Sequence, residues 1–369
     1  MHLLRGACSS TIWAVVSPLE ATLDIRPRAR IDVVDVRAMA AAAYGDVFDR
    51  FARCLYVSPH TTAGYLPQSL ATRLTTRRAG LEPYLHLFQT VFPANAGYQH
   101  DNLDLRTELP PEQRRVEPTN GDSHLAFMAA GLHTCVSYRT DRTGPVYFVD
   151  LDGAHEGTPR KRATRLVGYN EEREIARMSL EVPVSKHPIE AVSLKDPSLG
   201  LSARLNELIR RQGVTKGRVR LELGRDERHA SLTINEYETL LMQHDLAEVL
   251  RNPLKFAAQK ARHAWSDPLA VPVKAVDYAK YDLVRAVNRL FDALGLSASR
   301  LEFALARALE LPASRLLRMK RSVNLLVSDA GTDGTGAVVE GTFQAPIMVQ
   351  WRPATAGRRT VEVVLSRFL

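Results

Sequence analysis

Two stretches of this chain run through the same order of expected elements, and that recurrence restricts the possible folds more than any other feature. Residues 20–36 (EATLDIRPRARIDVVDV) hold two runs of alternating β-branched residues about a Pro-containing turn, which predicts a hairpin-like pair of strands. An alanine-rich helix follows from residue 37, fading towards Phe51. The strand RCLYVSP then delivers His60 at its end. Residues 178–236 repeat the order: two strands (MSLEVPVSKHPIEAVSLKD), a helix (LSARLNELIRRQG), a strand (GRVRLEL), and His229 in RHASLTINEYE. His60 and His229 are thereby expected to hold corresponding places. Closing strands recur too, YFVDLDG and RATRLVG first, then GAVVEGTFQAPIMVQWRP and RRTVEVVLSRF. The expectation is an internal duplication of one α+β domain, with units at 1–175 and 176–369.

The two units differ in what lies between their conserved parts. In the first, 67–92 reads as helical, GYQHDNLDLRTELPPEQ as loop, and SHLAFMAAG as a short helix with His124 in its first turn. In the second, 238–322 is largely helical by its apolar spacing, an insertion standing where the first unit has its His100 and His124 segments. GTDGTGAV precedes a strand and reads as a hairpin turn.

A chain of 369 residues is comfortable for two domains, and no apolar run reaches the roughly 20 residues that span a bilayer. The apolar start, MHLLRGACSSTIWAVVSPLE, is broken by Arg5, Ser9, Ser10 and Thr11, so export is not expected. Three cysteines without CxxC spacing argue for small buried residues in a reducing, cytoplasmic setting. The net charge of +8 favours anionic partners. Its basic clusters lack the interleaved aromatics that stack bases, so a small phosphorylated substrate is preferred over nucleic acid. Phosphate loops, dinucleotide fingerprints, GxSxG and HExxH are absent from the sequence, so no nucleotide cofactor is expected.

Three histidine segments carry the chemistry: CLYVSPHTTAG with His60, GYQHDN with His100 and TNGDSHLAF with His124. Together the three imidazoles suit an open three-nitrogen site for a divalent metal such as zinc or iron. Asp101 or Asp122 would orient an imidazole from behind, or cap a turn or helix instead. Asn120 reads either as a helix cap or as a substrate contact. Thr61 and Thr62 could cradle a phosphate, or simply satisfy a strand end. Arg160 and Arg162 could clamp phosphate oxygens, or sit on a solvated face. Asp150 and Asp152 alternate with Val149 and Leu151, so both face one side of a strand, where paired carboxylates can bind magnesium or share a proton. In the second unit the candidates are His229, Asn235 and Glu236, with His229 expected to be structural if it lacks partners.

These motifs together resemble the YjbQ-like family, the secondary thiamine-phosphate synthases. The first unit is similar to its pattern through His60-Thr61-Thr62-Ala63-Gly64, through Tyr98-Gln99-His100-Asp101, and through Asn120 to His124. Asp150 to Gly153 and Pro159-Arg160 resemble its closing segment, with AHEGT inserted. The second unit resembles it through His229 to Glu236 and through Gly341-Thr342-Phe343-Gln344. The resemblance implies an antiparallel sheet with helices packed on one side, a homo-oligomer (dimer or trimer), and transfer chemistry in which a pyrimidine diphosphate loses pyrophosphate. It further implies a catalytic set of His60, His100, His124, Asp101, Asn120 and Arg160. What one unit has lost the other keeps, since LTINE and GTFQ survive only in the second. A single composite site built from both units is therefore one expectation, and a first unit that works alone is the other. Two further readings stay open: a metal-dependent hydrolase or lyase using a histidine-bound water, and a binding module that uses the insertion as its partner surface.

Overall fold

In the computed structural model, residues 17–75, 81–155, 157–251, 256, 259, 260, 320–330, 332 and 334–369 are described. Alternation of apolar and polar residues makes Leu19–Ile25 (β1) a strand with Leu23 and Ile25 turned inward. Asp32–Asp35 (β2) follows, and Asp35 ends it by capping the helix Val36–Tyr44 (α1), accepting from the amides of Arg37 and Ala38. Gly45 stops that helix at φ +67°. The rest of the first half comprises Arg53–Val57 (β3), Ala63–Tyr65 (β4), Gln68–Thr75 (α2), Glu82–Val91 (α3), Pro111–Arg114 (α4) and Gly121–Ala129 (α5). Cys135–Arg139 (β5), Tyr147–Asp150 (β6), Ala154–His155 (β7), Thr158–Pro159 (β8) and Arg162–Tyr169 (β9) complete it.

The second half begins with Glu172–Pro183 (β10), Glu190–Ser193 (β11) and Leu201–Gln212 (α6), whose inward residues Leu201, Leu205 and Ile209 recur every fourth position. Gly217–Leu223 (β12) alternates perfectly between buried and half-buried residues. Ala230–Asn235 (β13), a π-helical turn Leu240–Asp245, and Leu246–Arg251 (α6's successor, α7) come next. Ser322–Ser328 (β14), Ala337–Val339 (β15), Ala345–Gln350 (β16) and Arg358–Phe368 (β17) finish the chain. The fold is α+β, and every strand pairing among the described residues is antiparallel.

The strand order of one half matches that of the other. The first half forms a sheet ordered β1-β9-β3-β5 and a smaller one ordered β2-β6-β4. The second forms β10-β17-β12-β14, extended by β15, and a smaller sheet β11-β16-β13. Registers agree as well: Asp150 pairs with both Asp32 and Ala63, and Gln350 pairs with both Glu190 and Ala230. Two residues beyond those alanines, Tyr65 bridges to His133 and Leu232 bridges to Lys320.

This register corrects one expectation. With Ala63 matched to Ala230, the station of His60 is taken by Glu227, and His229 corresponds to Thr62. A shared histidine two residues out of place misled the sequence comparison. The stretch 67–92 is helical where it is described, as α2 and α3, with 76–80 outside the described residues. Of the expected helical insertion, the described beginning is helical through Arg251 and most of the rest lies outside the described residues.

The halves are joined by apolar packing. One core takes in most inward residues of the first half and also Leu241, Met242, Leu246, Val249, Phe256, Ile347 and Val349 of the second. A smaller cluster joins Leu55, Val57, Cys135, Val167 and Tyr169 to Leu326 and Phe368, with the Tyr169 and Phe368 rings stacked at 4.0 Å. Burial in that cluster raises the Cys135 thiol to about 12, and Cys54 likewise to about 12, which makes both inert packing residues. Cys8 lies outside the described residues.

Candidate functional site at the junction of the halves

The loop after β3 enters the junction through backbone groups. Gln344 of the second half donates from Nε2 to the carbonyls of Ser58 (2.9 Å) and His60 (2.8 Å), and accepts the Gly341 amide on Oε1. Any side chain at Gly341 would collide with the Pro59 carbonyl, since a Cβ there would lie 1.7 Å from it. Thr61 offers its carbonyl to Asn235 Nδ2 at 3.3 Å. The expected GTFQ segment thus serves as a clasp on the His60 loop.

His60 itself spends Nε2 accepting the Ala163 amide at 3.0 Å. Burial first, then the nearby Arg162 and Arg160 charges, lower it to about 4, so it is neutral. Arg162, whose side chain is buried, holds the Asp150 carboxylate with Nε (2.7 Å) and Nη2 (3.1 Å), and reaches the Asp152 carbonyl and Thr62 Oγ1. The second half repeats the device with other residues. Arg359 donates to Gln350 Oε1 and to the Arg352 carbonyl, and Thr360 gives its amide to Glu227. Arg162 and Asp150 are therefore a fold-holding pair rather than a free phosphate clamp.

Two histidines meet at the centre. His100 and His124 pack edge to face, with ring centroids 4.9 Å apart, and both are fully buried. His100 Nδ1 lies 3.2 Å from Glu238 Oε2, and its Nε2 lies 3.1 Å from Asn120 Oδ1. Asn120 in turn donates from Nδ2 to Asp152 at 2.8 Å, and Asp152 is ion-paired with Arg160. His124 Nδ1 lies 2.7 Å from Asn235 Oδ1, and its Nε2 lies 3.5 Å from Glu236 Oε2. Glu236 also receives Arg106 Nη2 at 3.0 Å. Burial and the neighbouring His100 push His124 down to about 3, whereas the Glu238 contact raises His100.

The supporting carboxylates have defined tasks. Asp101 caps α5 by accepting the Gly121 amide, and burial raises it to about 6. Asp122 is gripped by both Nη atoms of Arg30, at 2.9 and 2.8 Å, and does not orient an imidazole. Asp245 accepts the amides of Gln99 (3.0 Å) and His100 (2.9 Å), and Lys260 ties the same loop by donating to the Gly97 carbonyl. Glu238, Asp245, Arg106 and Lys260 were not singled out from sequence. The first two sit at the start of the expected insertion, and the one available signal was a cluster of charges inside an otherwise apolar helical pattern. His229 enters the fold through its carbonyl, which accepts the Trp351 amide.

A metal does not fit this donor set. His100 has both nitrogens engaged by side chains, and His60 has committed Nε2 to a backbone amide. Among the described residues no group of three or more His, Cys, Asp or Glu side chains converges as ligands would. Asp150 and Asp152 are likewise neutralised by Arg162 and Arg160 instead of facing an open cation position.

No family model and no curated protein matches the sequence. Among solved structures, the chain is similar to a hypothetical protein from Aeropyrum pernix K1 at 15% identity, covering 52% of this chain and 98% of that one, with a TM-score of 0.27. A YbjQ-like protein of unknown function from Sulfolobus solfataricus P2 matches at 12% identity over 53% and 99%, TM-score 0.28. An uncharacterized YjbQ/UPF0047-family protein from Clostridium acetobutylicum matches at 12% over 53% and 100%, TM-score 0.25. No helix among the described residues is long and apolar enough to cross a membrane.

Proposed function

We propose that the chain is an enzyme assembled from two diverged YjbQ-like copies in tandem, with one acid–base site at their junction. The observation that carries the reading is the pairing of His124 from the first half with Asn235 and Glu236 from the second. Asn235 Oδ1 also accepts the Glu236 amide, and its Nδ2 donates to Thr61, so its oxygen must face His124. His124 therefore carries its proton on Nδ1 and keeps the Nε2 lone pair, on the side where Glu236 reaches towards solvent. That nitrogen is the proton acceptor. Arg160, about one-third exposed, is the cation best placed to meet an anionic group. The substrate class is a small phosphorylated or anionic molecule in the cytoplasm, and the reaction is a thiamine-phosphate-synthase-like transfer. In it, His124 Nε2 takes a proton from the amino group of an amino-substituted pyrimidine diphosphate as pyrophosphate leaves with the bonding electron pair, and the proton returns to that group once the thiazole nitrogen has attacked. The matching strand orders of the halves support the tandem origin.

The test is pyrophosphate release by the full chain from the amino-substituted pyrimidine diphosphate and thiazole phosphate, beside His124→Gln and Glu236→Gln. Native turnover that falls at least 100-fold in His124→Gln is the expected outcome. Absence of release from the native chain discards the thiamine-like reaction. Full turnover in His124→Gln discards the base.

A further inference from the structure

The hydrogen bonds around His100 determine its charge without reference to any substrate. Asn120 can be oriented only one way, because its NH2 must face the Asp152 carboxylate, which leaves Oδ1 towards His100. His100 Nε2 must then carry a proton. On the other side of the ring, Glu238 accepts the Leu240 amide on Oε1 (2.6 Å) and the Leu241 amide on Oε2 (2.7 Å). A carboxyl group taking two amide donors is held in its ionised form, and its remaining partner, Nδ1, must also donate. We infer that His100 is a permanent imidazolium, locked by Glu238 of the second half, and supplies a fixed positive charge in place of a metal.

Charge balance requires that cation. The charged groups facing His100 are Glu238, Asp101, Glu236 and Glu117, with Arg106 the opposing cation. Asp245 adds a carboxylate on the backbone side of the same loop. With His100 neutral, this buried cluster would hold a surplus of carboxylates against Arg106, each unpaired ion carrying the desolvation penalty of burial. The π-helical turn places both anchoring acids: Glu238 reaches the ring from just before it, and Asp245 closes it and holds the His100 amide. Such turns are over-represented at functional sites. A fixed imidazolium beside His124 keeps that ring neutral, so Glu238 acts as a positioning residue for the proposed base.

This inference concerns the same site as the acid–base reading but does not depend on turnover. The experiment is side-chain nitrogen NMR on the full-length chain, with the His100 signal assigned by its loss in His100→Gln. Both ring nitrogens are expected to show the protonated signature at pH 7, above the ordinary value at which a free imidazole loses its proton. In Glu238→Gln, His100 is expected to become a neutral Nε2–H tautomer at pH 7, and Glu238→Asp to restore the imidazolium. A native His100 that titrates near its ordinary value of about 6.5 overturns the inference. That measurement does not need Glu238→Gln, so it holds even if that variant fails to fold. An unchanged imidazolium in a folded Glu238→Gln chain also overturns it. Loss of pyrophosphate release with an intact imidazolium signature would instead count against the reaction alone.

Discussion

His60 and Glu227 occupy one station in the two halves of this protein. Ala163 donates its amide to His60 Nε2 at 3.0 Å, and Thr360 donates its amide to Glu227 Oε1 at 2.9 Å. In each half the donor directly follows the arginine that grips the neighbouring strand. A carboxylate and an imidazole can share this post because it demands only a hydrogen-bond acceptor.

It follows that His60→Gln, which can still present an acceptor, keeps the fold and most of any turnover. His60→Ala leaves the Ala163 amide without a partner and is expected to cost about 1–3 kcal/mol in urea unfolding. Loss of activity in His60→Gln with unchanged stability would falsify the acceptor role.

Gln344 joins the halves through two carbonyls of the other half. Gln344→Ala is expected to lower stability by about 1–3 kcal/mol and to broaden the unfolding transition, as the His60 loop loosens before the rest. Gly341→Ala should be worse, because the collision is with backbone that cannot step aside. Hydrogen exchange at residues 58–62 reads the loosening directly, and unchanged protection in Gln344→Ala would rule out the clasp.

Arg162→Met strands the buried Asp150 carboxylate and is expected to cost about 3–5 kcal/mol. The double change Arg162→Met with Asp150→Leu should recover much of that loss. Arg359→Met removes the equivalent contact to a neutral partner, Gln350, but also frees Glu227, so its cost should be comparable. Thermal melts of the three variants separate these outcomes.

Stability should fall on mild acidification. His60 (about 4) and His124 (about 3) are depressed in the folded chain, so below about pH 6.5 the unfolded chain takes up protons that the native one refuses. Each contributes a loss of about 1.4 kcal/mol per pH unit down to its folded value. Asp101, raised to about 6 from 3.8, pulls the other way, as do Asp150, Asp245 and Glu117, which burial also raises, while His133, lowered by burial, adds to the loss. The raised His100 contributes stability that is complete below about 6.5 and disappears as pH rises through its folded value. Urea midpoints between pH 4 and 7 check the sign, and a rise towards pH 4 would contradict the buried neutral state of the two histidines.

Local pattern carried much of the fold. The alternation in β1, β12 and β17, the four-residue spacing in α6 and the cap at Asp35 each depend on residues within a few positions of one another. The order of strands and the α+β class could therefore be read from the chain itself. Which residues face one another across the junction could not. His60, His100 and His124 look alike in sequence, yet one accepts a backbone amide, one is clamped between Glu238 and Asn120, and one leans on Asn235. Side-chain chemistry alone permits a shared metal. A metal does not fit these histidines, because both His100 nitrogens and His60 Nε2 are committed to other partners, Glu238 and Ala163 among them more than a hundred residues away in sequence. The sequence by itself determined the elements, their order and the pool of polar groups. Only the tertiary structure decided the pairing, because hydrogen bonds between buried groups are set by where separate elements meet, and burial makes each of those choices obligatory.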